Sequence, residues 1–106
     1  MREFAAEASD PQTKQKLLDL AEQYEKLVTR ANERAMTRDH LEQAQRHVVE
    51  GDRHIVRQCE LIADLERGGH DTHEARALLL QYEDIQVLFV SDRDRLQAKL
   101  AALLSK

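Results

Sequence analysis

Three histidines, His40, His47 and His54, recur at seven-residue spacing. Imidazole titrates near neutrality and offers a neutral nitrogen to a metal ion, so the row reads as a proton sensor or a set of ligands. Within one helix the metal reading fails on distance. Residues seven apart are separated by about 10.5 Å of rise, so ligation would need a second helix or a second subunit. The plainer reading makes them half-buried flanking positions whose ring edges reach solvent or a carboxylate, and Leu61 in the next place of the row fits it. A second cluster, His70-Asp71-Thr72-His73, brings two imidazoles and a carboxylate into one short stretch. It could hold a divalent ion, but no second ligand pair stands at matching spacing, and Asp71 suits a helix cap better. His70, His73, His47 and His54 are thus the metal candidates, while the expectation is no metal and no cofactor.

Other reactive types carry less. Cys59 lies beside an apolar row and reads as a small packing residue rather than a nucleophile. Arg30, Arg34 and Arg38, four residues apart, could meet an acidic partner but read as a solvated helix surface. With no glycine-rich phosphate loop, nucleophile elbow or paired-carboxylate site, no catalytic residue is assigned. The enzymatic alternative would be phosphate transfer through His47 or His54.

The elements that must position these residues are helices. Arg2 to Ala8 could form a turn or two, interrupted by Ser9, Asp10 and Pro11. Asp10 can cap free amides and Pro11 suits a first helical position, so a helix starts there. Its stripe is Leu17, Leu20, Ala21, Tyr24, Leu27, Val28 and Ala31. The pattern then changes phase, and Asp39 followed by Glu42 makes a capping box. The expectation is a break near Thr37 to Asp39, against one continuous helix from Pro11 to Arg67. The second helix carries the row Leu41, Val48, Ile55, Ile62 and the row Ala44, Gly51, Gln58, Leu65, and stops at Gly68-Gly69. Asp71 or Thr72, with Glu74, caps a third helix with the seam Ala75, Leu78, Tyr82, Ile85, Phe89, Leu96 and Leu103.

A short loop after a long helix returns the next helix antiparallel. Taking the turn at Gly69 to His70, Gly51 should face Phe89, with the missing side chain making room for the ring. His47 should lie near Asp92 and His54 near Gln86. The expected fold is all-α and bundle- or coiled-coil-like: a long antiparallel hairpin plus an N-terminal helix, three helices at about 11–36, 39–67 and 72–104 in one domain, 1–106. Leu41, Val48, Gly51, Ile55, Ile62, Tyr82, Ile85 and Phe89 are the expected packing and interaction residues. The stretch Ile85 to Val90 is apolar nearly all round and wants neighbours on two sides. A homodimer completing a four-helix or larger bundle supplies them, with a compact three-helix monomer as the alternative.

Composition bounds the function. Charged residues are 34% of 106, the formal net charge is −4, and acids and bases are interleaved, which gives no general pull toward nucleic acid or acidic lipid. One cysteine cannot make an internal disulfide, and no apolar run resembles a signal sequence or span, so the expected address is the cytoplasm. Two stretches carry a resemblance: AAEASDPQTKQKLLDLAEQYEKLV, from Ala5 to Val28, and His47 to Leu103, containing HIVRQCELIADLERGGHDTHEARALLLQYEDIQVLFVSDRDRL. Both resemble helical segments of small alphaproteobacterial, especially rhizobial, proteins without assigned function. The resemblance implies a bacterial cytoplasmic source and no reaction or ligand. The expected function is a non-enzymatic protein–protein interaction module, an adapter or regulator, paired with itself or another protein. The alternative is a histidine-based sensor of metal or pH.

Overall fold

The computed structural model describes residues 10–105, which form two helices, α1 (Pro11–Arg67) and α2 (His73–Leu104), with no strand among the described residues. The turn expected between Arg2 and Ala8 lies outside the described residues. At the start of α1 the Asp10 carbonyl accepts the Lys14 N–H at 2.8 Å, and the Asp10 carboxylate accepts the Thr13 hydroxyl at 3.0 Å. Pro11 takes the first helical position, where its missing N–H costs no hydrogen bond.

The expected break at Thr37 to Asp39 is absent. The helices expected at 11–36 and 39–67 are one helix of 57 residues, so the three helices expected are two. Neither Gly nor Pro interrupts Asn32 to His40, and Thr37 is among the most buried residues, at 2% exposure. A residue packed that closely holds the backbone where a bend was expected. The Asp39 and Glu42 pair merely permits a start, and the backbone there already continues as helix.

The chain divides into two units, Met1–Ala35 and Met36–Lys106. The described part of the first is helix alone. Its stripe residues Leu17, Leu20, Tyr24, Leu27 and Val28 are 40–69% exposed.

The second unit is an antiparallel two-helix coiled coil. On α1 the inward row is Thr37, Leu41, Ala44, Val48, Gly51, Ile55, Gln58, Ile62 and Leu65, in alternating steps of four and three, and all are buried or half-buried. On α2 it is Ala75, Leu79, Tyr82, Gln86, Phe89, Arg93, Leu96, Leu100 and Leu103, with the same alternation. A 3.5-residue period keeps each row against its partner along the whole hairpin. Leu78 and Ile85, expected in the seam, are instead 38% and 44% exposed, and Leu79 and Gln86 take their places.

The turn closes as the diglycine requires. Gly69 has φ +71°, its N–H donates to Glu66 O at 3.1 Å, and the His70 N–H donates to Leu65 O at 2.9 Å. These are the two bonds of a Schellman motif, which satisfies carbonyls the helix end leaves free. Thr72 is the N-cap of α2 without a side-chain cap bond, while the Asp71 carboxylate accepts the His73 N–H at 3.0 Å.

Candidate interaction surface

Two buried glutamines fix how the helices of the hairpin meet. Gln58 Nε2 donates to Ala75 O at 2.8 Å, and Gln86 Nε2 donates to Val48 O and to Asp52 Oδ1, each at 2.9 Å. A polar side chain at a seam position is costly unless bonded, so these contacts favour one register over its neighbours. Gly51 makes the second possible: a Cβ there would lie 1.7 Å from Gln86 Oε1. Gly51 therefore faces Gln86 rather than Phe89. The expectation paired Gly51 with Phe89 by centring the register on Gly69 to His70, whereas the bonds from Gln58 to Ala75 and from Gln86 to Val48 set each α2 residue opposite an α1 residue nearer the N-terminus. Gln86 Oε1 is itself buried without a hydrogen-bond partner.

The histidine row lies along one side of this seam. The His47 ring sits 5.0 Å from Phe89 and the His54 ring 5.6 Å from Tyr82, both tilted. The pairing is thus displaced from the expected register, in which His54 was to meet Gln86. His47 does share a polar recess with Asp92, together with His40, Arg95 and Leu96. His54, Tyr82, Ile85 and Phe89 line a more apolar recess with Glu50 and Gly51. Aromatic rings packed this way contribute contact area to the helix pair, with His47 half-buried and His54 exposed.

The structure scatters the other candidates. His70 and His73 are exposed at the turn, and His40 and His54 are exposed on α1. Among the described residues no three His, Cys, Asp or Glu side chains converge as a metal-binding group. Cys59 is exposed. Of the expected packing residues, Val48, Gly51 and Ile62 are buried, and Leu41, Ile55, Tyr82 and Phe89 are half-buried.

Apolar surface remains outside the seam. Leu80, Val87 and Leu88 on α2 are each more than 60% exposed, with Val49 and Val56 about half exposed on α1. The Leu17 to Ala31 stripe adds a second such face in the first unit. No described helix is long and apolar enough to cross a membrane. No family model, curated protein or solved structure matches this chain.

Proposed function

We propose that the chain is a non-enzymatic protein–protein interaction module of the bacterial cytoplasm, an adapter or regulator that works by presenting helical faces to protein. One observation carries this reading: long helices whose own packing leaves rows of large aliphatic side chains in water, from Leu17 to Val28 and from Leu80 to Leu88. Large apolar patches of this kind mark contact sites in soluble proteins. The test is affinity capture from a rhizobial lysate with the intact chain and with a Leu80→Glu, Leu88→Glu variant. The expected result is one reproducible bound protein other than the chain itself, whose recovery falls in the variant. Repeated capture of nothing would overturn the reading.

A sensor reading has its own support in the placement of His47 against Phe89 and His54 against Tyr82, which ties two imidazoles to the contact between helices. The titratable and charged groups around them are His40, Asp92 and Arg95 beside His47, and Glu50 and Tyr82 beside His54. A melting midpoint that moves between mild acid and neutrality, or on adding zinc, and stops moving in a His47→Gln, His54→Gln variant would favour this reading over the first.

A further inference from the structure

The stripe in the first unit has the form of half a coiled coil. Leu17, Leu20, Tyr24, Leu27 and Ala31 advance in steps of three and four, with Ala21 and Val28 widening the row on one side. Leu20 and Leu27 share one heptad position, and Leu17, Tyr24 and Ala31 the other. All seven are exposed. We infer that this face is covered by the same face of a second copy, lying parallel and in register, with the two Tyr24 rings meeting across the axis. The inference rests on the interaction-module reading and names the partner for one of its faces.

Area, charge and symmetry point to that occupant. Leu17, Leu20, Tyr24, Leu27 and Val28, at 40–69% exposure, hold on the order of 500 Å² of apolar surface per copy. Two copies together, with the flanking alanines and the stems of Lys16 and Arg30, approach the roughly 1,200 Å² below which interfaces are weak and concentration-dependent. A membrane is the poorer occupant. Between residues 10 and 35 the acids Asp10, Asp19, Glu22, Glu25 and Glu33 balance the bases Lys14, Lys16, Lys26, Arg30 and Arg34. A neutral helix gains no electrostatic attraction to anionic lipid.

Charge also sets the direction. By helical geometry Lys16, Arg30 and Arg34 lie along one edge of the stripe, while Lys14, Glu25 and Asn32 lie along the other. Antiparallel pairing places the basic edge against itself. Parallel pairing removes that repulsion, since it places the basic edge against the side of Ala21 and Val28, where Lys14 and Glu25 cancel in charge, and an isologous contact of this kind closes as a dimer without leading to longer polymers.

The test uses the full chain at concentrations from about 1 to about 200 µM, followed by light scattering and sedimentation. The expected result is a monomer–dimer equilibrium. A Leu20→Glu, Leu27→Glu variant should raise its dissociation constant about tenfold or more, while a Leu80→Glu, Leu88→Glu variant leaves it unchanged. In a Cys59→Ser background, Leu17→Cys oxidised with glutathione disulfide should cross-link to itself. Cross-linking only in a mixture of Leu17→Cys with Ala31→Cys would overturn the parallel arrangement. A chain that stays single throughout overturns the inference, as does a dimer indifferent to Leu20→Glu, Leu27→Glu. So does binding of the monomer to anionic vesicles that the same variant abolishes. None of these outcomes touches the capture experiment, which judges the interaction-module reading separately.

Discussion

One methyl group added at Gly51 sets two effects of opposite sign against each other. In a helix interior, Gly→Ala gains about 1 kcal/mol from backbone entropy. Here the new Cβ would fall 1.7 Å from Gln86 Oε1 and 2.7 Å from Gln86 Cδ, so the amide must leave its place and give up its bonds to Val48 O and Asp52 Oδ1. Each bond is worth about 1 kcal/mol net, and the displaced amide also disturbs a packed layer. Gly51→Ala is therefore expected to cost about 1 to 2 kcal/mol by chemical denaturation, whereas in a Gln86→Ala background the same change stabilises by about 1 kcal/mol. A stabilising effect in the parent chain would mean that Gln86 does not sit over Gly51. Truncation should separate seam from surface in the same way. Leu96→Ala, at a 6% exposed residue, is expected to cost about 2 to 4 kcal/mol, and Ile85→Ala, which sits outside the seam, less than about 1 kcal/mol. At this scale the sequence is only half legible. The glycine announces a close approach, but the glutamine that approaches it is hidden from any reading that scores seam residues by hydrophobicity. Both phases alternate three and four, through Leu78 and Ile85 or through Leu79 and Gln86, and the one residue pair that tips the choice to the second is Leu100 beside Lys99.

Helix ends and turns are legible in sequence where backbone chemistry forces the outcome, and poorly so where it only permits one. Asp10-Pro11 and Gly68-Gly69 mark real ends because proline lacks an N–H and only glycine takes a positive φ cheaply. Asp39 and Glu42 could cap a helix, yet α1 runs through them, since nothing there prevents the next hydrogen bond and Thr37 is held by packing. The two turn glycines should accordingly respond differently to alanine. Gly69, at φ +71°, places any Cβ in the left-handed region, and Gly69→Ala is expected to cost about 1 to 2 kcal/mol. Gly68 has no positive φ, and its added Cβ would press on the ring of exposed His70, which can swing away, and otherwise make an ordinary contact with Asp64 O at 3.6 Å. Gly68→Ala is expected to lie within about 0.5 kcal/mol of the parent, helix propensity offsetting the displaced ring. Thermal melts of the two variants check the pair. Equal losses would show that the Schellman bonds from Gly69 and His70 do not set the end of α1.

At the scale of the whole chain, helix content and the antiparallel hairpin follow from composition, from heptad spacing and from the diglycine, all three of which are legible in the residues themselves. Assembly is not, because a stripe in the sequence states that it needs cover without stating what supplies it. The physical consequence can be measured. Most helical stability in proteins comes from packing one face, so helical turns without a packed face open more readily than packed ones. The turns around Leu17, Tyr24 and Val28 have their apolar face in solvent, while those around Val48, Gly51 and Ile62 are packed against α2. Amide hydrogen exchange should therefore split α1. At about 1 µM the amides from Leu17 to Ala31 should exchange at least about a hundredfold faster than those from Val48 to Ile62, which open only with the hairpin. If a second copy covers the stripe, raising the protein to about 200 µM should slow the first group in proportion to the dimer formed, by mass action, and leave the second group where it was. Uniform protection along α1 at the lower concentration would show that the first unit is stable without cover, and the case for a second copy would lose its driving force.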